Sequence, residues 1–246
     1  MAQFTHYPTS VVSGLSFKSL RSLPPSDILG LSTGFDETGH TIWRGALDFI
    51  SLLKEEEGWL WKGTPELNEK TLSSLFSGQT VLELGAGVGL SGLVLSLHCP
   101  QLSSLTLSDG DAKTVDLCAH NVASNKTDPP PPFPIDVKRI TWPSQNCTKE
   151  EQHDVTLATD VIYDLSVLNP LFSTVKSHAL KRFVLSHVPR SNVDNRRAIG
   201  TEEQIREKIL EAGKDHGVEY VGEWRREGLE GSVMVFDIIQ EEENEE

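Results

Sequence analysis

The sequence is short of cysteine, short of positive charge and without a long apolar run, and each shortage closes off a class of function. The three cysteines, Cys99, Cys118 and Cys147, form no Cys-x-x-Cys and no Cys/His metal spacing. Such a sparse, odd set reads as free thiols in a reducing compartment, so the expected location is the cytoplasm, with the nucleus as the alternative. No stretch of about 18 apolar residues occurs, so no membrane span is expected. Met1 to Leu20 lacks the cationic start and apolar core of a secretion signal, which leaves Asn125-Lys-Thr127 and Asn146-Cys-Thr148 with little meaning as glycosylation triplets. Lys and Arg total 22 against 36 Asp and Glu, a net charge of −14. That balance argues against nucleic-acid binding through the phosphate backbone and is compatible with a basic protein partner. The acidic run Glu241 to Glu246 is expected to be a solvated, disordered tail.

The chain also has no internal repeat and no sign of a second domain. Its 246 residues suit one α/β domain spanning residues 41–240, with residues 1–40 as an extension folded onto it. The extension contains two candidate short strands, Tyr7 to Ser13 and Leu15 to Leu20, broken afterwards by Pro24-Pro25 and Gly34 to Gly39.

What the sequence does have is a strand–turn–helix unit at Thr80 to Ser91. Val81, Leu82 and Leu84 suit a buried parallel strand, Gly85, Gly87 and Gly89 follow at once, and Leu90 through Leu97 reads as helix. A turn without side chains lets backbone N–H groups approach a ligand, and the helix N-terminus adds the positive end of its dipole. The third glycine comes one residue early for the dinucleotide pattern, and the Lys-Ser/Thr of a phosphate-binding loop is missing. Glu83, two residues before the first glycine, would repel a pyrophosphate and attract a sulfonium or ammonium. The alternative is a tight turn that binds nothing.

A second strand, Ser103 to Asp109, ends in a carboxylate about 20 residues past the turn, where the neighbouring strand tip can offer it to two ribose hydroxyls. Asp111 suits the N-cap of the helix Ala112 to Asn125, on which His120 and Asn121 read as surface or end contacts. Thr41 to Leu53 has helical spacing with Trp43 near its start, and Glu55 to Phe76 reads as loop and helix. Asp128 to Pro134 is a stiff loop. Ile135 to Trp142 and Asp154 to Tyr163 read as strands, and Leu165 to Leu180 as a helix with Pro170 near its start. Arg182 to Val188 is a fifth strand; His187 at its end is a structural or a catalytic histidine. A polar loop over 189–197, a capped helix Thr201 to Ala212 stopping at Gly213 or Gly217, and a hairpin of Val218 to Val221 with Ser232 to Ile239 complete the chain.

Glu83-x-Gly85-x-Gly87-x-Gly89 resembles motif I of the class I, seven-strand methyltransferases that use S-adenosylmethionine. The resemblance narrows with Trp43-x-x-Ala46, Ile140-Thr-Trp142 and Asp160-Val-Ile-Tyr163, which are similar to the eukaryotic protein-lysine methyltransferases of methyltransferase family 16; Glu83 to Gly92 also resembles its elongation-factor-2 branch. It implies a Rossmann-like α/β fold with a seven-stranded sheet and an antiparallel last strand. It implies S-adenosyl-L-methionine held by Trp43, Glu83, Gly85, Ala86, Gly87, Asp109, Trp142 and Ala158. Asp160 and Tyr163 then serve the methyl acceptor, a lysine of a protein substrate such as a translation factor. Base-methylating relatives carry prolines at the positions of Val161 and Ile162, so a flipped base is disfavoured. Histidine or other side chains, small molecules, and a cofactor-binding module without catalysis remain alternatives. Target, number of methyl groups and oligomeric state are left open.

Overall fold

The computed structural model describes residues 4, 7–19, 21–22, 39–126, 130–144, 147–189, 200–228 and 230–240. Expectations placed on Pro24-Pro25 and Gly34, on residues 127–129 of the proline loop, on Asn146, on 190–197 and on the tail 241–246 lie outside those residues.

In chain order the elements are β1 (Thr9–Val12), β2 (Leu15–Lys18), β3 (Arg21–Ser22), β4 (Thr41–Ile42), α1 (Arg44–Leu53), β5 (Trp59–Gly63), β6 (Thr80–Leu84), α2 (Leu90–His98), β7 (Ser104–Asp109), α3 (Ala112–Ser124), β8 (Ile135–Arg139), β9 (His153–Thr159), α4 (Leu168–His178), β10 (Ala179–His187), α5 (Glu202–Asp215), β11 (Val218–Arg226) and β12 (Ser232–Ile238). The main sheet runs β5-β11-β12-β10-β9-β6-β7-β8. Strands β6 to β10 are mutually parallel, and β12 inserts antiparallel between β10 and β11. This is the expected Rossmann-like methyltransferase order, with its antiparallel last strand, plus one added edge strand.

That edge strand, β5, falls in a stretch read as loop and helix. It pairs antiparallel with β11 and half-buries Trp59 and Trp61, the latter 4.5 Å from the Trp224 ring. Leu60 lies on the other face at 57% exposure, so an apolar residue on the solvent side hid the period-two alternation.

Alternation along each strand divides the core in two. Val81, Leu105, Leu107, Val155 and Leu157 face α1, α2 and α3; Leu82, Leu84, Ala158, Phe183 and Leu185 face α4 and α5. Pro170 sits in the first turn of α4, where a missing N–H costs nothing. Thr201 and Gln204 form the capping box that starts α5, which runs through Gly213 and stops before Gly217, at φ +68°.

The described part of the extension includes a hairpin, β1 with β2, which packs on α3. Asn125 and Asn121, one helical turn apart, each pair with one residue of β2. Asn125 Oδ1 accepts the Ser16 N–H at 2.8 Å and its amide donates to Ser16 O at 2.7 Å; Asn121 treats Lys18 in the same way at 2.8 and 3.1 Å. The reading of Asn121 as a surface contact is therefore corrected: it is fully buried and also donates to Val88 O at 2.9 Å. Among the described residues no helix is long and apolar enough to cross a membrane.

Candidate active site

The parallel strands all end at one edge of the sheet, and a cavity of about 520 Å³ opens there. Crevices at this edge are where α/β folds take ligands, and its size falls in the small-molecule range.

Its floor is the glycine turn. Ala86 N–H donates to Ser108 O at 2.7 Å, tying the turn to β7, and Gly87 N–H donates to Asp109 Oδ2 at 3.1 Å. Gly85 and Gly87 hold φ of +68° and +55°. A Cβ on Gly87 would lie 2.9 Å from Gly39 O; one on Gly85 would lie 2.7 Å from Val161 and 3.3 Å from the Trp142 indole. The turn is thus a cradle that a side chain would fill.

Asp109 ends β7 as expected and lines the cavity. Burial pushes its carboxyl up, against hydrogen bonds from the Asp111 and Gly87 amides that lower it. Asp111 caps α3 by accepting the Thr114 N–H at 2.7 Å. Trp43 and Trp142 both line the cavity. Trp43 is the N-cap of α1, which starts at Arg44 because Thr41 and Ile42 pair as a strand with β3. Trp142 lies beyond the end of β8 at Arg139, in an irregular segment rather than on a strand.

Two expected cofactor residues are placed elsewhere. Glu83 is fully buried beneath α2 and does not line the cavity. Its Oε2 accepts the Gly92 N–H at 2.9 Å, and a Cβ on Gly92 would come within 2.6 Å of that oxygen. Burial pushes the carboxyl up to about 8, despite the Gly92 hydrogen bond, so at neutral pH it is mostly uncharged and supplies little attraction for a sulfonium. Its position on β6, odd-numbered with Val81, turns it under the helix, where it ties turn to strand. Ala158 is fully buried toward α4 and α5. The next residue, Thr159, faces the cavity instead and bonds Ser91 Oγ at 2.9 Å. Strand alternation is the signal that would have found Thr159.

The acceptor side forms where β9 ends. Asp160 lines the cavity, is 7% exposed, and holds φ +56°, a conformation Asp tolerates better than most side chains. Its N–H donates to Ser186 O at 2.8 Å, its Oδ2 accepts the Gly45 N–H at 3.1 Å, and its Oδ1 lies 3.9 Å from Nδ1 of His187. His187 is 3% exposed and stands behind Asp160, away from the cavity wall. Tyr163 is 39% exposed at the cavity mouth. Asp48, also buried, is pushed up by burial; Arg44 at 2.7 Å opposes this and the Asp160 charge adds to it. Among the described residues the cavity wall carries three acids, Asp109, Asp111 and Asp160, and no Lys, Arg or His.

A model of the family described as lysine methyltransferase matches residues 28–199. The chain belongs to the lysine methyltransferase family. Methyltransferase-like protein 22 of Mus musculus is 27% identical over 180 residues, a match covering 61% of this chain and 38% of the mouse protein. The chain thus spans well under half of that relative. Among solved structures, a SAM-dependent methyltransferase from Aquifex aeolicus is similar with a TM-score of 0.53 at 14% identity, covering 77% of this chain and 98% of that one. The magnesium protoporphyrin IX methyltransferase of Synechocystis PCC 6803, with SAH bound, is similar with a TM-score of 0.50 at 13% identity, covering 84% and 89%. At such identity these two likenesses show the fold. The family's cofactor is S-adenosylmethionine, and the described residues suit it: a side-chain-free cradle, a carboxylate at the adjacent strand tip, two indoles, and among these described residues no cation.

Proposed function

We propose that this member of the lysine methyltransferase family methylates a lysine side chain of a protein, such as a translation factor. One observation carries the reading: among the described residues, the only charged side chains on the cavity wall are carboxylates. A low-dielectric pocket of that sign favours a sulfonium donor and an amine acceptor over phosphates. Three free thiols, Cys99, Cys118 and Cys147, are in keeping with a cytoplasmic or nuclear setting.

S-adenosylmethionine, when bound, supplies an electrophilic methyl group on a sulfonium. The chain contributes alignment, which matters most where nucleophile and methyl carbon must be about 3 Å apart and in line. Trp43 and Trp142 offer apolar walls, and Asp109 offers two carboxylate oxygens at the sheet edge. Asp160, one of whose oxygens accepts the Gly45 amide, holds and orients the entering ammonium in this reading, and the Tyr163 ring provides a face for it. The amine must be neutral to react, whereas free lysine with a pKa of about 10.4 is protonated at pH 7. Desolvation between aromatic walls favours the neutral form, while Asp160 favours the charged one. Asp160 therefore orients, and the proton leaves to water.

The test is incubation with tritiated methyl donor and a cell lysate, followed by mass spectrometry of the labelled band. Methyl-lysine in one protein is the expected outcome. Label in RNA, in a metabolite or on histidine would overturn the reading. Asp160→Ala is expected to bind S-adenosylhomocysteine and to label nothing; full activity in that variant would remove Asp160 from its role.

A further inference from the structure

The N-terminal hairpin reaches the cofactor cavity by two routes, although none of its described residues lines the cavity. The first route runs to a wall of the cavity. Gly39, Thr41, Ile42 and Trp43 line it, whereas His40 does not and is 3% exposed. The Gly39 carbonyl lies against the glycine turn, since a Cβ on Gly87 would meet its oxygen at 2.9 Å. Gly39 is itself confined: a Cβ there would come within 2.7 Å of Thr114, whose N–H fills the Asp111 cap. Wall and turn are therefore closely packed, and a small shift of either alters the cradle between them. Tyr7, just before β1, grips this wall from the hairpin side. Its hydroxyl is hydrogen-bonded to His40 Nδ1 at 2.9 Å, with the two rings 5.6 Å apart.

The second route runs to the turn itself. Lys18 of β2 exchanges both backbone hydrogen bonds with the Asn121 side chain, and the Asn121 amide also donates to Val88 O at 2.9 Å, inside the glycine turn. The two routes are joined within the hairpin, where Lys18 Nζ donates to Tyr7 O at 3.0 Å and the Ser19 N–H to Pro8 O at 3.2 Å. The circuit closes: hairpin to His40, wall to glycine turn, turn to Asn121, and Asn121 back to the hairpin. Apolar packing would fasten the hairpin without any of this. Phe17 is fully buried, and Phe4 stands 5.8 Å from the His120 ring on α3. The directional bond from Tyr7 to His40 adds a fixed distance to the wall.

We propose that Tyr7 is a positioning residue for S-adenosylmethionine. Through His40 it sets the Gly39 to Trp43 wall against the glycine turn, so the hairpin belongs to the cofactor site without lining it. The inference concerns the methyl donor and holds whatever the acceptor is.

The test is calorimetry of S-adenosylhomocysteine with the full chain, paired with hydrogen exchange of the unliganded and saturated protein. Tyr7→Phe removes one hydroxyl and keeps the ring. Without the bond, part of the ordering of the wall is deferred to cofactor binding, so affinity falls by up to the worth of one hydrogen bond. A loss of about three- to fivefold is expected. In the unliganded variant the amides of residues 39–43 and 86–88 are expected to exchange faster, and saturating S-adenosylhomocysteine to restore their protection. A merely structural role for Tyr7 would not produce that local, ligand-reversed change. Val11, on β1 and 68% exposed, provides the control: Val11→Ser is expected to leave affinity and exchange at the cavity unchanged. Unchanged affinity in Tyr7→Phe, an equal loss in Val11→Ser, or faster exchange spread over β6 to β10 would overturn the proposal.

Discussion

Gly45 and Asp160 touch: the Gly45 amide donates to Asp160 Oδ2 at 3.1 Å, and a Cβ on Gly45 would lie 2.8 Å from the Asp160 Cβ. The first turn of α1 therefore sets the position of the carboxylate at the end of β9. Ser186 closes the arrangement, accepting the Asp160 N–H on its carbonyl and donating its hydroxyl to Gly45 O at 2.7 Å. The φ of +56° at Asp160 is held by these neighbours rather than by any preference of its own.

Gly45→Ala tests that dependence. Alanine favours a helix over glycine by about 1 kcal/mol, so any loss of function would run against local propensity. The added methyl displaces Asp160, and a misplacement on the order of 1 Å is expected to lower the rate of methyl transfer to the labelled protein about 100-fold. Binding of S-adenosylhomocysteine, measured by calorimetry, is expected to change no more than a few-fold. Transfer at the wild-type rate would show that the Asp160 position is not critical.

Glu83 predicts a pH dependence of stability. Its folded pKa of about 8 lies above the ordinary carboxyl value of 4.5, so the folded state binds more protons between those two pH values. The stability that the neutral acid provides is fully present below about pH 4.5 and is lost as pH rises through about 8. At pH 7 the loss is about 3 kcal/mol, taking 1.36 kcal/mol per pKa unit. Glu83→Gln keeps an acceptor for the Gly92 N–H and removes the titration. Its melting temperature is expected to gain on the wild type steadily from pH 5 to pH 8; a constant difference across that range would contradict the burial argument.

The hairpin clamp gives a structural prediction. Asn121 and Asn125 stand about 6 Å apart along α3, and Ser16 and Lys18 are about 6.6 Å apart along β2, so two amides on a helix match two residues on a strand. Asn121→Ala removes three hydrogen bonds at a buried site and is expected to cost about 3 kcal/mol; Asn125→Ala, more exposed, is expected to cost about 1 kcal/mol. Hydrogen exchange should show the Ser16 and Lys18 amides losing protection in the corresponding variants while β6 and β7 keep theirs. Uniform loss across the sheet would mean that the clamp is part of the global core.

The strand and helix pattern was legible because the parallel strands β6, β7, β9 and β10 are short apolar runs bounded by strong punctuation: Asp109 ends a strand, Gly85 and Asp160 each follow one directly, and all three stand at the cavity. What was hidden follows from two physical facts. Side chains one apart on a strand face opposite ways, so the motif around Ala158 pointed to the right strand end but to the wrong neighbour, Thr159 being the one at the wall. A carboxylate in sequence also reads as a charge, whereas burial makes Glu83 a neutral strut. The polar pair Asn121 and Asn125 carried a signal, an i, i+4 repeat on an amphipathic helix, that only the docked hairpin explains. Strand β5 depends on which elements come to lie side by side, and nothing local announces it.

Asp109 and Asp111 separate cofactor binding from helix capping. Both line the cavity, but Asp111 directs its Oδ2 to the Thr114 N–H and hydroxyl, whereas Asp109 stands at the tip of β7 with Gly87 and Asp111 amides on its two oxygens. Each oxygen has a further lone pair, so the carboxylate can accept two ribose hydroxyls while keeping the glycine turn in place. Loss of two charge-assisted hydrogen bonds corresponds to about 3 kcal/mol, so Asp109→Ala is expected to weaken S-adenosylhomocysteine binding about 100-fold or more. Asp111→Ala loses a cap worth about 1 kcal/mol of stability, with affinity expected to fall only a few-fold. Calorimetry and thermal melts on both variants decide between them. Equal affinity losses would mean that the turn is organised by α3 as a whole, and unchanged affinity in Asp109→Ala would move the ribose away from β7.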